Sequence, residues 1–259
     1  VPLLRSARRL LPRYWPYAVT APRMLERMSL GLCASTELLE MVHDLGVPRE
    51  RLRLHRIGID LTRFRKEERD PERPRVVMIG RFVEKKGFEY GLRAFARAAR
   101  GGHAQLVLIG GGEREAALRR IVCEEGIEAQ VRFAGVLSNG AVAGELAHAD
   151  VLLAPSVVTA DGDRESGLVV VKEASASQVV PLTTWHGGIP DIVDDGVTGY
   201  LVPERDVESL ADRLRTLLAD PELRARLGEA ARRKMEREYD NRRRVAALEE
   251  HYDEARRVG

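Results

Sequence analysis

The feature that most constrains the fold is a regular alternation of short apolar runs and longer amphipathic segments, which begins at Val76. Short apolar runs predict buried strands, and apolar residues at helical spacing predict the helices between them. The predicted strands are 76–79, 105–109, 131–133, 151–154, 179–184 and 200–202, and the predicted helices are 88–100, 113–125, 142–148, 166 onward and 207–218. Such alternation is typical of a parallel sheet with helices on both faces. The sequence therefore predicts an α/β fold with one Rossmann-like, doubly wound domain.

The segments on either side of this domain are different. Residues 1–66 hold two predicted strands, 30–34 and 51–55, and a helix at 37–44 that Ser35 would cap. Two strands are too few for an α/β domain, so we interpret 1–66 as the end of a larger N-terminal domain with its linker. The α/β domain is then expected at 67–238. A charged helical region starting at Pro221 is expected to break near Tyr239, which leaves 239–259 as a C-terminal helix.

Composition narrows the functional classes. The net charge is only +2 with 32% charged residues, which gives no general reason to expect a nucleic-acid partner. No run of eighteen apolar residues is present, so no membrane span is predicted. Cys33 and Cys123 lie in apolar patterns and are expected to be buried thiols of a reducing compartment. Arginines and aromatic residues are interleaved in the first thirty residues, either for contact with an anionic membrane surface or as the edge of a domain.

Two carboxylates flank the start of the helix predicted from residue 166. Glu165 precedes it, and Glu173 lies eight residues further on, about 12 Å along a helix axis. A nucleotide-sugar has a sugar and a ribose on either side of a pyrophosphate, so one helix can bind hydroxyls at both ends and phosphates at its N-terminus. The alternative is a helix-capping Glu165 with a solvated Glu173.

Cations and glycines follow the first two strands of the domain. Arg81 and Lys86 come after the strand at 76–79, and Gly111 lies in a glycine turn after the next strand. Because parallel strands end at the same edge of a sheet, these residues are expected on the same rim as Glu165. Positive charge there can stabilise a diphosphate leaving group. Two solvated loop cations and a glycine turn needed only for packing are the alternatives.

An ordered set of motifs over residues 76–218 resembles the C-terminal, nucleotide-sugar-binding domain of GT-B retaining glycosyltransferases, in particular the group called family 4. The motifs are Gly80-Arg81 with Lys86-Gly87, Gly110 to Gly112, Phe133-Ala-Gly135, Ala149-Asp150-Val151, Pro155-Ser156, the pair Glu165 and Glu173, Gly187-Gly188-Ile189-Pro190-Asp191, and Gly196 to Gly199 with Leu201-Val202-Pro203.

The resemblance implies roles for individual residues. Arg81 and Lys86 would hold the donor pyrophosphate, Glu173 the ribose hydroxyls, and Glu165 the donor sugar. Backbone groups of the residues after Glu165 would also contact the sugar, and two residues after Gly135 would contact the base. The implied catalytic residues are Glu165, Arg81 and Lys86, and the implied donor-binding residues are Arg81, Lys86, Gly111, Val136, Leu137, Glu165, Ser166, Gly167, Leu168 and Glu173.

The implied reaction transfers a hexose-type sugar from a nucleoside diphosphate sugar to a glycan or lipid-linked acceptor, with retention of configuration. It would serve polysaccharide biosynthesis in the cytoplasm or at the inner face of the membrane, with peripheral membrane contact through the N-terminal domain. No cofactor and no nucleic acid are implied. Two rival functions stay open: a non-catalytic nucleotide-sugar-binding module, and an epimerase or phosphorylase of the same fold.

Two further features were weighed. Asp161-Gly162-Asp163 imitates the metal-binding pair of the other large glycosyltransferase fold, but Arg81 and Lys86 would already supply the positive charge, so an ordinary turn without metal is expected. His186 has two interpretations, contact with the donor phosphates or a structural hydrogen bond. The structural hydrogen bond is favoured.

Overall fold

The structure is a computed structural model that describes residues 24–25, 27–67, 70–165 and 169–258. It divides into two compact units: the chain up to Gly58 together with the residues from Arg242 onward, and Ile59–Asn241. The compact units divide at Gly58, and the domain boundary expected after residue 66 stays a prediction. The arginine-rich segment 1–23, with its two interpretations, lies outside the described residues.

The first unit contains a small parallel strand pair. β1 (Gly31–Cys33) is followed by α1 (Thr36–Asp44) and β2 (Leu52–Leu54). The predicted cap is confirmed, because the Ser35 hydroxyl accepts the Leu38 N–H at 3.2 Å. Gly46 follows α1 with φ +102°, a conformation that suits glycine and ends the helix.

The described part of the second unit has one sheet of six parallel strands. The strands are β3 (Arg75–Ile79), β4 (Gln105–Ile109), β5 (Val131–Gly135), β6 (Val151–Ala154), β7 (Val180–Thr184) and β8 (Tyr200–Val202). Their order in the sheet is β5-β4-β3-β6-β7-β8. The helices are α2 (Phe88–Ala98), α3 (Glu115–Glu124), α4 (Asn139–Ala147), α5 (Val169–Ala176), α6 (Ile189–Ile192), α7 (Val207–Ala219) and α8 (Pro221–Lys234). A π-helical turn (Met235–Tyr239) leads into α9 (Asn241–Val258), which from Arg242 onward belongs to the first unit.

Both faces of the sheet are buried. Along β3, Val76 and Met78 pack into one apolar cluster, and Val77 points into the cluster on the opposite face. A strand that is covered on both sides needs apolar residues throughout, which is why these strands are continuous apolar runs in the sequence. The predicted α/β, doubly wound fold is confirmed.

The strand order reverses between β3 and β6, which are neighbours in the sheet. After β3 the chain adds β4 and β5 on one side, and after β6 it adds β7 and β8 on the other. Loops that leave neighbouring strands in opposite directions open a crevice at the carboxyl ends of those strands. The residues that follow β3 and β6 therefore line this crevice.

One prediction needs correction, and one short helix was missed. Cys33 is buried, but Cys123 is exposed, because α3 buries only one stripe, which includes Ile121 and Val122. The short helix α6 was not predicted; its four residues are too few for a helical period to show in the sequence.

The predicted break near Tyr239 is confirmed, since Asp240 is extended between the π-helical turn and α9. In the described ranges, no helix is both long and apolar enough to cross a bilayer.

Gly87 provides a test of how closely the loops after β3 and β6 approach each other. It has φ +64°, and an added Cβ would lie 1.8 Å from the Pro155 carbonyl oxygen. Gly126 has nearly the same φ, +67°, with no atom within 4 Å of such a Cβ. We expect Gly126→Ala to lower the free energy of unfolding by about 1 kcal/mol through the left-handed backbone alone. Gly87→Ala adds overpacking and should lower it by about 3 kcal/mol.

Urea unfolding of the two variants and the parent chain measures the difference. Equal losses in Gly87→Ala and Gly126→Ala would show that the two loops are not in contact at this point.

Candidate active site

The loops after β3 and β4 touch at the crevice. A Cβ on Gly110 would lie 1.9 Å from the Gly80 carbonyl oxygen, and one on Gly112 would lie 2.9 Å from the Phe82 nitrogen. The Phe82 N–H also donates to the Gly111 carbonyl at 2.9 Å. Only glycines allow this approach, and the contact fixes the backbone on either side of Arg81.

Two consecutive lysines after β3 meet an acid from the loop after β6. Lys86 Nζ lies 3.1 Å from Glu165 Oε2, and Lys85 Nζ lies 3.6 Å from Glu165 Oε1. Lys85 also pairs with Asp163 at 3.1 Å. The side chains of Lys85, Lys86 and Glu165 are only 15–17% exposed. The expected convergence of Lys86 and Glu165 is therefore present, and Lys85 is a partner that the sequence analysis did not single out.

The charges in this cluster are suited to an anionic ligand. Both ammonium groups pair with Glu165 in a partly buried place, where charge–charge interactions are stronger than in bulk water, and Lys85 also pairs with the more exposed Asp163. A ligand with several negative oxygens can bind Lys86 in place of Glu165, while Glu165 keeps its pairing with Lys85.

The Pro155–Glu165 loop that carries Glu165 is anchored along its length. The Val157 N–H donates to the Lys85 carbonyl at 2.9 Å. A turn around Gly162, with φ +84°, is closed by the Thr159 N–H, which donates to the Asp163 carbonyl at 3.0 Å. In the part of the chain that the structure describes, no group of His, Cys, Asp and Glu side chains is arranged to hold a metal ion. Asp161 and Asp163 serve the turn and Lys85.

His186 makes the structural hydrogen bond that the sequence analysis favoured. Its Nε2 accepts the backbone N–H of Glu165 at 2.9 Å, and its Nδ1 lies 2.6 Å from Glu204 Oε1. Glu204 was missed. Its place just after β8, on the rim where the other strands also end, is the signal that could have identified it.

Glu173 lies on α5, further along the chain from Glu165, and it is half-buried. Burial raises the pKa of Glu173 above its usual value, and the positive charges of Arg63 and Lys172 partly oppose that rise. Burial also lowers the pKa of Lys172, whose ammonium lies 5.6 Å from the centre of the Tyr239 ring. Arg63 was not singled out from the sequence. A desolvated carboxylate is a strong acceptor for ligand hydroxyls.

Four other predicted residues, Arg81, Gly111, Val136 and Leu137, follow β3, β4 and β5 at the same rim. Arg81 is exposed and lines an open cleft of about 380 Å³ together with Lys85, Glu113, Asp161 and Asp163. A Cβ on Gly111 would lie 3.3 Å from a methyl of Val136, so Gly111 and Val136 are neighbours. Val136 is 82% exposed, whereas Leu137 packs against the core. Ser166, Gly167 and Leu168 lie outside the described residues.

A family model named "Glycosyl transferases group 1" matches residues 60–234, more than half of the chain. The chain belongs to this family. The resemblance to GT-B glycosyltransferases is thereby confirmed, while the narrower assignment to family 4 stays a prediction.

Similar proteins agree with the family. The chain is 32% identical over 239 residues to the putative colanic acid biosynthesis glycosyltransferase WcaL of Escherichia coli K12, covering 91% of this chain and 58% of WcaL. It is 31% identical over 193 residues to the amylovoran biosynthesis glycosyltransferase AmsK of Erwinia amylovora, covering 73% and 47%. This group 1 chain thus spans about half the length of the curated relatives it matches.

A solved structure shares the fold. Anabaena Alr3699/HepE in complex with UDP and glucose superposes with a TM-score of 0.76 at 18% identity, over 87% of this chain and 63% of HepE. At that identity the likeness concerns the fold alone.

The raised pKa of Glu173 predicts a pH dependence of stability. A carboxyl with a raised pKa in the folded state contributes stability below its unfolded pKa, and this contribution is lost as pH rises through the folded pKa. Glu173→Gln cannot ionise, so it avoids that loss. The unfolding free energy of Glu173→Gln, relative to that of the parent chain, should therefore increase as the pH rises from below the usual pKa of a glutamate to neutral pH.

Urea unfolding of both proteins at several pH values measures the difference, and the most acidic point serves as the internal control because Glu173 is protonated there. A difference that is constant with pH would contradict the burial of an ionised Glu173.

Proposed function

We propose that this chain is the donor-binding part of a glycosyltransferase that moves a hexose-type sugar from a nucleoside diphosphate sugar to a glycan or lipid-linked acceptor, with retention of anomeric configuration. The observation that carries the proposal is the contact of Lys85 and Lys86 with Glu165 in the crevice between β3 and β6.

In this proposal the cations bind the leaving group. Arg81 and Lys86 hold the pyrophosphate, and their positive charge stabilises the oxygen that is released when the sugar bond breaks. In the proposal these two side chains supply the positive charge that balances the diphosphate, without a metal ion or a cofactor. Lys86 is the better placed of the two for a partly buried contact, because its side chain is 16% exposed while Arg81 lies in the open cleft.

The acids would bind the two sugars of the donor. Glu173 accepts the ribose hydroxyls, and its partial burial strengthens such hydrogen bonds. Glu165 lies beside Lys86 and contacts the transferred sugar near the reacting carbon, where a carboxylate also favours the positive charge that develops on the ring. Retention follows if the departing phosphate accepts the proton of the incoming hydroxyl on the same face of the sugar.

The relatives support the acceptor class. WcaL and AmsK are named for colanic acid and amylovoran biosynthesis, which supports a glycan acceptor. The rival functions are separable by assay. An epimerase would isomerise the donor without an acceptor, and a binding module would bind the donor without any turnover.

Binding measurements test the donor site directly. Isothermal titration with UDP-glucose, GDP-mannose and ADP-glucose should find a donor that binds the chain. For that donor, Glu173→Ala should weaken binding about tenfold to a hundredfold, since hydrogen bonds to a charged group contribute about 1.5–3 kcal/mol. Lys86→Met should weaken binding of the free nucleoside diphosphate by a similar factor.

Arg93→Ala is the matched control, because it removes an exposed cation from α2 on the same domain. An equal effect of Arg93→Ala and Lys86→Met, or unchanged affinity in both site variants, would show that the donor binds elsewhere.

A further inference from the structure

The imidazole of His186 lies between the Glu165 backbone and Glu204. Its side chain is fully buried. The Glu165 N–H donates to Nε2 at 2.9 Å, so Nε2 carries no hydrogen. Nδ1 then carries the proton of the neutral ring and donates it to Glu204 at 2.6 Å. The contacts therefore define one tautomer of His186.

Glu204 is itself fixed. Its second oxygen accepts the Val158 N–H at 2.8 Å and lies 3.5 Å from the guanidinium of Arg205. Burial alone would raise the pKa of Glu204, but the hydrogen bonds from Val158 and His186 hold it below its usual value. Glu204 thus connects both ends of the Pro155–Glu165 loop to the end of β8, directly at Val158 and through His186 at Glu165.

Glu165 has two kinds of anchor, and a donor affects them differently. Its carboxylate is held by Lys85 and Lys86, whereas its backbone N–H is held by His186. If the donor pyrophosphate binds Lys86, the side-chain anchor is weakened at the moment when Glu165 must hold its place beside the sugar. The hydrogen bond to His186 does not involve the pyrophosphate and persists.

We propose that His186, oriented by Glu204, is a positioning residue that keeps the backbone of Glu165 in place during sugar transfer. The inference rests on the proposed function, because it takes Glu165 as the residue that contacts the donor sugar. It adds a hydrogen-bonded pair from the ends of β7 and β8 to a site otherwise built on the ends of β3, β4, β5 and β6 and on α5. A displacement of about 1 Å in such a group can cost about a hundredfold in rate.

Two substitutions separate the two hydrogen bonds of the ring. In His186→Gln the amide group reaches the position of Nε2, where its oxygen can accept the Glu165 N–H. In His186→Asn the shorter amide reaches only the position of Nδ1, so it keeps the contact with Glu204 and loses the one with Glu165. Both variants are polar and lack the aromatic ring, so the loss of the ring itself is common to both, and they differ in length by one methylene.

The first measurement is amide hydrogen exchange at Glu165 in this chain, with and without UDP-glucose. We expect protection in the parent chain and in His186→Gln, and exchange about tenfold faster in His186→Asn, as for the loss of one hydrogen bond. Nitrogen-15 spectra of the parent chain should show His186 protonated at Nδ1. Equal exchange in all three proteins, or a ring protonated at Nε2, would overturn the proposal.

The second measurement is transfer kinetics in the complete gene product that contains this chain. His186→Asn should lower kcat at least tenfold with a donor KM within threefold of the parent value, and His186→Gln should restore kcat to within threefold. Equal kcat losses in both variants, or a change confined to KM, would contradict a positioning role. If the parent protein transferred no sugar from any donor, the proposed function would fail, and the exchange data would still decide whether His186 fixes Glu165.

Discussion

The site depends on the reversal of strand order between β3 and β6. Because the chain builds the sheet outward from β3 in one direction and from β6 in the other, the loops after these two strands diverge and leave a crevice. Gly87 lets the backbone after β3 approach Pro155 after β6, and Gly110 lets the β4 loop approach Gly80. The contacts of Lys85 and Lys86 with Glu165 start from backbone next to these close approaches.

The crevice also depends on the pairing of its lysines with carboxylates. Partly buried lysines and carboxylates lose hydration, and each needs a partner to offset that loss. Lys86 pairs with Glu165, and Lys85 pairs with both Glu165 and Asp163. In our proposal, the carboxylate that contacts the donor sugar therefore also pairs with the cations assigned to the phosphates. Under the proposed function, donor binding is an exchange of partners at Lys86 that does not involve the hydrogen bond from the Glu165 backbone to His186.

The sequence predicted the sheet well, because strands buried on both faces need continuous apolar runs, as Val76, Val77 and Met78 show. It also predicted that Lys86 and Glu165 meet, since both follow strands of one parallel sheet. Lys85, Glu204 and Arg63 were missed because their roles depend on contacts with residues far away in the chain, and single charged residues in loops carry no periodic signal. Cys123 was misplaced because an apolar neighbourhood in sequence does not say which side of a short helix faces solvent.

The most direct test is a crystal structure of the chain with a nucleoside diphosphate such as UDP. We predict that diphosphate oxygens contact Lys86 and Arg81 at the crevice, with the Glu165 N–H still bound to His186. The opposite edge of the sheet offers a contrasting site, a cleft of about 270 Å³ lined by residues that include Lys66, Asp150 and Arg224. A diphosphate bound there, with the pairing of Lys86 and Glu165 undisturbed, would contradict the account.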